Sequence, residues 1–104
     1  MTEINIEKIT RDLVDTFLNA GKISIDLRNA GLIKKIKSDN TPVSNGDLEV
    51  NKIVCEKIMK LTPSIPVISE ETSDNKLIKD LKNFWLIDPI DGTYDYINNL
   101  DEFT

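Results

Sequence analysis

Four large apolar residues, Phe84-Trp85-Leu86-Ile87, run directly into Asp88-Pro89-Ile90-Asp91-Gly92-Thr93. No other stretch restricts the fold as tightly. A short apolar run bounded by Pro and Gly reads as a strand. Pro89 fixes its own backbone angle and keeps Asp88 extended, so Asp88 leaves the strand end with its carboxylate free. Asp91 follows three residues on, and a tight turn brings the two carboxylates toward one point. Gly92 admits a positive φ or a close backbone approach. Thr93 adds a hydroxyl and opens a short helix through Asn98, whose first amides can meet a phosphate.

The rest of the chain supplies helices to cover such a strand. From Ile4 to about Arg28 the residues Ile6, Ile9, Leu13, Phe17, Ala20, Ser24 and Leu27 recur at helical spacing and predict one core-packing face. Thr2 or Asn5 can cap its start, and Gly31 can take the left-handed conformation of a helix exit. A short strand is expected over Leu32–Lys37 and a polar loop over Ser38–Gly46. A second helix follows from Asp47 to Leu61, with Val50, Ile53, Val54, Ile58 and Leu61 inward and Asp47 capping its entrance. Thr62-Pro63-Ser64 breaks it. Ile65–Ser69 reads as a strand with Pro66 near its beginning, and Asn75–Asn83 as a short helix with Leu77, Ile78 and Leu81 inward. Phe84 and Trp85 are expected in the core, and Cys55 as an inert small hydrophobe. The fold class is α+β, and 104 residues make one domain rather than two.

Charge and composition remove several functions. The formal net charge of -5 argues against a partner with a nucleic-acid backbone. It does not forbid an anionic substrate, because clustered carboxylates hold divalent cations that reverse the local field. The absence of histidine rules out a His-based triad and His-ligated zinc within this chain. The single cysteine allows no intrachain disulfide and is compatible with the cytoplasm. No apolar run reaches membrane-spanning length, and Met1-Thr2-Glu3 has no signal-peptide pattern.

Taken singly, the polar candidates have plain readings. Asp47 and Thr93 are helix caps, Glu70-Glu71 is a solvated pair, and Lys37 belongs to the solvated basic stretch Lys34–Lys37. Together they point elsewhere. Glu70-Glu71 ends one strand and Asp88 and Asp91 follow another, and converging carboxylates need a reason. Hard oxygen ligands suit Mg²⁺, which commonly bridges carboxylates to a substrate phosphate.

These blocks resemble the inositol monophosphatase superfamily. Trp85 to Thr93 is similar to its W-x-[IV]-D-P-[IL]-D-G-T signature, Ser69-Glu70-Glu71 to its upstream metal pair, and Pro42-Val43-Ser44-Asn45-Gly46-Asp47 to its V-[ST]-x-x-D block. The resemblance spans Gly31 to Thr104. It implies a sugar-phosphatase-type fold of layered helices and sheets (αβαβα), of which residues 1–104 would form the N-terminal part of one domain. Family members are longer and add a further metal-binding aspartate from a later Trp-Asp block. By resemblance, Glu70, Asp88 and the Ile90 carbonyl hold one Mg²⁺, and Asp88 and Asp91 share another. Asp47 and Thr93, with Glu70, carry the catalytic role of orienting or activating the attacking water. Asp91, Gly92 and Thr93 grip the phosphate. Lys37 matches a basic position near the metal site.

The implied activity is Mg²⁺-dependent, Li⁺-sensitive hydrolysis of a small phosphate monoester. The tail from Tyr94-Asp95-Tyr96-Ile97 to Glu102-Phe103-Thr104 is similar to the G-T-x-x-[FY]-I…E-F-T stretch of the 3'(2'),5'-bisphosphate nucleotidase branch. An inositol or sugar phosphate is the next expectation. The reading from another class is a non-catalytic metal- or phosphate-binding or assembly fragment. A small phosphorylated substrate is the expected partner, with no membrane, and a homodimer is an assembly to test.

Overall fold

The computed structural model describes residues 5–71 and 83–104. Seven elements follow one another: α1 (Ile6–Ala30), β1 (Lys34–Ile36), β2 (Pro42–Ser44), α2 (Asn45–Leu61), β3 (Val67–Ser69), β4 (Trp85–Ile87) and α3 (Thr93–Ile97). The α+β class expected from the sequence is what forms. The expected helix over Asn75–Asn83 and the capping role of Thr2 fall outside the described residues, Asn83 excepted.

Helix α1 starts where Asn5 Oδ1 accepts the Lys8 amide at 3.0 Å. It stops at Gly31, whose φ of 99° ends the helical course while its N–H still reaches the Arg28 carbonyl. Leu13, Ala20 and Ser24 are buried along its inner face. Two members of the expected stripe are not: Ile6 is 72% and Phe17 53% exposed. Leu13 and Ala20 join the core shared with α2, while Phe17 stands on the wall of an open groove.

Helix α2 begins two residues earlier than the sequence predicts. Ser44, not Asp47, is its N-cap, and Asp47 is the third helical residue of a reciprocal capping box. The stretch read as a loop also contains β2. That strand opens on Pro42, a position where the missing N–H costs no ladder bond. It pairs antiparallel with β1, Lys34 opposite Ser44 and Ile36 opposite Pro42. Asn40, at a φ of 68°, makes the turn between them.

Strands β3 and β4 pair in parallel, Val67 with Trp85 and Ser69 with Ile87. The ladder extends one residue further through the Glu70 amide and the Ile87 carbonyl, at 3.0 Å. Parallel pairing in this register sets the C-terminal ends of the two strands side by side, so Glu70 emerges next to Asp88. Val50, Val54, Cys55 and Ile58 of α2 pack with Leu13 and Ala20 of α1, Ile87, Ile90 and Tyr96 to form the core. Cys55 is buried there as expected, and burial pushes its thiol pKa up. The β4 run is less enclosed than its composition suggests. Trp85 is half-buried, with its indole N–H on Thr62 Oγ1 at 2.9 Å. Phe84 lies at 36% exposure and Leu86 at 72%, so Phe84 is not a core residue. Among the described residues, no helix is long and apolar enough to cross a membrane.

Candidate active site

Asp47 is fully buried and holds the site together. One carboxylate oxygen, Oδ2, accepts the Ser44 amide at 2.8 Å and the Ser44 hydroxyl at 2.5 Å. The other, Oδ1, accepts the Thr93 hydroxyl at 2.8 Å. The helix cap and the link to Thr93 therefore use different lone pairs of one carboxylate. The Thr93 hydroxyl has a second acceptor within reach, the Ile90 carbonyl at 3.2 Å, but one proton serves only one of them at a time. Thr93 does not cap its own helix. Gly92 stands at that N-cap, at a φ of 80° and with no side chain to contribute. A Cβ at Gly92 would also come within 2.8 Å of the Glu102 carbonyl, so both conformation and space require glycine. The Asp91 and Thr104 backbones exchange hydrogen bonds at 2.8 and 3.1 Å, which fixes this turn against the chain's last residues.

Glu70 and Asp88 meet at the adjoining strand ends. Partial burial, a side-chain hydrogen bond with Glu70, and the charges of Glu70, Asp91 and Glu71 push the Asp88 carboxyl up to about 7. Glu71 is the buried member of its pair, its side chain only 3% exposed. Burial raises its pKa, partly offset by Lys37, while Glu70 and Asp47 add to the rise. Lys37 is not a freely solvated lysine. Its ammonium lies 3.5 Å from Glu71 and 3.7 Å from Glu70. Burial pulls its pKa down, but Glu71 and Glu70 outweigh that and leave it raised.

The structure thus brings together Asp47 with Thr93 and Ile90, and Glu70 with Asp88, Asp91 and Lys37. Sequence reasoning missed Asn51, Ser69 and Tyr96. Asn51 Oδ1 accepts the Ser69 hydroxyl and the Cys55 thiol, and Ser69 Oγ in turn accepts the Glu71 amide at 3.3 Å. This buried network ties α2 to the Glu70-Glu71 corner. Its only sequence signal is Asn51, a polar residue one turn after Asp47 and hence on the same helix face.

Whether Mg²⁺ suits these residues can be judged from the donors. Among the described residues, no three Asp, Glu, Cys or His side chains stand as a ready cage. Mg²⁺ does not need one, since it commonly takes one or two carboxylates and completes its shell with water and substrate phosphate. The hard oxygens of Glu70, Asp88 and Asp91 fit it in kind. Burial is the first cause of the raised Asp88 pKa, and the neighbouring charges of Glu70, Asp91 and Glu71 add to it.

An open groove of about 660 Å³ runs beside the cluster among the described residues. Phe17, Ile25, Val54, Leu86 and Phe103 line it, and of the cluster only Asp88 and Ile90 reach it. Most of the polar cluster lies outside that apolar groove, with Asp88 at its edge.

Comparison with known proteins identifies the family. The sequence profile of the inositol monophosphatase family matches residues 5–104. The chain belongs to that family. It is 44% identical over 72 residues to the 3'(2'),5'-bisphosphate nucleotidase CysQ of Haemophilus influenzae, covering 67% of this chain and 27% of that protein. It is 35% identical over 98 residues to CysQ of Aggregatibacter actinomycetemcomitans, covering 92% of this chain and 36% of that one. The chain therefore spans only about a quarter to two fifths of the length of such relatives. Among solved structures, the extragenic suppressor protein suhB of Bartonella henselae superposes with a TM-score of 0.77 at 21% identity, over 92% of this chain and 38% of its own. The Thermotoga maritima IMPase superposes at 0.70 and 23% identity, over 82% and 32%. Both likenesses establish the sugar-phosphatase fold.

Proposed function

We propose that the protein carrying this segment is a Mg²⁺-dependent phosphomonoesterase acting on a small phosphorylated substrate of the 3'(2'),5'-bisphosphate nucleotide type. The observation that carries the reading is the 2.8 Å bond from Thr93 to buried Asp47, which sets a proton acceptor against the Asp-Pro-Ile-Asp-Gly-Thr turn beside Glu70 and Asp88. Residues 1–104 would form part of one catalytic domain.

Glu70, Asp88, the Ile90 carbonyl and Asp91 would hold the cation. Bound Mg²⁺ supplies neutralisation of phosphoryl charge and increased acidity of the attacking water. Thr93 orients that water through its hydroxyl, whose own proton is held by Asp47. Asp47, with Glu70 beside the cluster, accepts proton density as the water oxygen closes on phosphorus and the ester P–O bond breaks. The amides of Gly92 and Thr93, with Asp91 positioning the turn, receive the phosphoryl oxygens. The leaving oxygen takes a proton from solvent water while the proton given up by the attacking water returns from Asp47 to solvent, and an alcohol and inorganic phosphate result. The nucleotidase relatives favour a bisphosphate nucleotide over an inositol or sugar phosphate. A cytoplasmic location and sensitivity to Li⁺ belong to the same proposal.

A second reading, a non-catalytic binding or assembly segment, draws support from the open apolar groove. One experiment separates the two. Phosphate release by the complete gene product is measured on 3'-phosphoadenosine 5'-phosphate, an inositol monophosphate and fructose 1,6-bisphosphate, in Mg²⁺ and in EDTA, with Asp88→Asn as control. Release only in Mg²⁺, lost in the control, is expected. Activity in EDTA, or none on any substrate, removes the metal-phosphatase reading.

A further inference from the structure

Resting on the Asp47–Thr93 reading, we propose that Tyr96 is a positioning residue for hydrolysis, acting through its packing beneath Gly46 to set the distance between Asp47 and Thr93. Tyr96 lies one turn after Thr93 on α3, and Gly46 immediately precedes Asp47 on α2. Tyr96 is completely buried, and its hydroxyl donates to the Ser24 carbonyl of α1 at 2.6 Å. A Cβ at Gly46 would fall 2.1 Å from that hydroxyl oxygen, 2.7 Å from Cε2 and 2.8 Å from Cζ. Gly46 is therefore glycine for space, since the Tyr96 ring lies where its side chain would be.

The ring cannot move aside. The Phe103 ring packs against it at 5.0 Å, and the Arg28 guanidinium lies 4.8 Å from the Phe103 centroid and 5.9 Å from that of Tyr96. Arg28 is itself anchored on the Leu100 carbonyl at 3.0 Å. Two anchors thus hold the five-residue α3: Thr93 on α2 through Asp47, and Tyr96 on α1 through Ser24. The second fixes how closely the first can approach. Loss of the Tyr96 hydroxyl removes the hydrogen bond from the Tyr96 side chain to α1 and loosens α3 there, and a methyl at Gly46 pushes α3 away from Asp47.

The test is a double-mutant cycle in the complete gene product, read as kcat, KM for substrate and the Mg²⁺ dependence of rate. Tyr96→Phe is expected to lower kcat about 10- to 100-fold, the range of a small misplacement of reacting groups, and to leave KM and Mg²⁺ dependence unchanged. In a Thr93→Ala background the same substitution is expected to cost nothing more, because Tyr96 acts only through Thr93. Gly46→Ala, checked by circular dichroism, should match or exceed the loss; if it does not fold, the Tyr96–Thr93 cycle decides alone. A Tyr96→Phe loss that multiplies with that of Thr93→Ala, or one confined to KM, overturns the inference, as does an unchanged kcat where Thr93→Ala is slowed to a small residual rate. A Thr93→Ala protein with the wild-type kcat, or an inactive wild type, overturns the underlying reading instead, and the inference with it.

Discussion

Replacing Asp47 offers the sharpest check on the site, because the alanine and asparagine variants should differ for a reason visible in the structure. Asp47→Ala removes the acceptor for the Ser44 amide, the Ser44 hydroxyl and the Thr93 hydroxyl. Both hydroxyls can rotate, and Thr93 has the Ile90 carbonyl at 3.2 Å. The Ser44 amide cannot turn, and a buried donor left unpaired costs about 1–3 kcal/mol. The Ser44 hydroxyl still caps the helix at the backbone amide of residue 47, so the other loss is the space left by the carboxylate, about 1 kcal/mol. The total is about 2–4 kcal/mol, against a stability of about 5–15 kcal/mol for a domain of this size. Asp47→Asn keeps the shape. Its oxygen must face the Ser44 amide, so its NH₂ faces Thr93, whose hydroxyl then accepts from it and donates to Ile90. Only a charged acceptor is lost, about 1–2 kcal/mol. At about 4–8 °C per kcal/mol, thermal unfolding followed by circular dichroism should place Asn well above Ala. Equal losses, or an Ala variant within about 1 kcal/mol of wild type, would refute the account of Asp47 as a three-way acceptor.

Asp88 carries a pH signature. Its folded pKa of about 7 stands above the ordinary 3.8, so its contribution to stability is full below the ordinary value and is lost as pH rises through about 7. Metal-free protein should therefore melt lower at pH 8 than at pH 5 through this group, and Asp88→Asn should flatten that slope and raise the melting temperature at pH 8. A steeper slope in Asp88→Asn would contradict it. Tyr96, pushed up to about 12 by burial and by the Asp47 charge, should ionise near pH 12 in an ultraviolet titration of a Tyr94→Phe protein; a folded-state transition near 10 would count against its burial. Asn51→Ala removes the acceptor shared by the Ser69 hydroxyl and the Cys55 thiol and should destabilise the fold by about 1–3 kcal/mol, measured by urea unfolding; no change in midpoint would deny that network a structural role.

The elements that the sequence makes legible are those whose cause is local. Asn5 and Gly31 bound α1 because caps and left-handed exits are written in single residues. The apolar run into Asp88-Pro89 marks β4 for the same reason. Strand β2 was hidden because Pro42 and Ser44 read as loop formers, and only the β1 partner makes them a strand. Asp47 announces itself as a cap, but the true cap is Ser44 three residues before, and both halves of a capping box carry oxygen side chains. Leu86 and Phe17 look like core residues, yet what covers an apolar side chain is set by distant chain, which no local pattern records. Gly46 is read as a loop glycine until Tyr96, fifty residues on, is found in the space of its missing side chain.

Helix α2 explains why the carboxylates stay crowded. Asp47 and Asn51 lie four residues, about 6 Å of rise, apart. The first holds the Asp88–Thr93 turn through Thr93, and the second holds the end of β3 through Ser69. Parallel pairing then joins β3 to β4, and β4 leads back into the same turn. The contacts close a ring: α2, Thr93, the turn, β4, β3, Ser69 and α2 again. Glu70 and Asp88 sit inside it, where they cannot relax their repulsion by moving the strand ends apart. Burial first, and then that repulsion, raise the Asp88 pKa, while Lys37 pairs with Glu70 and Glu71. A fold that anchors like charges from both ends of one helix turn stores unfavourable electrostatics, and a divalent cation bound there would release them.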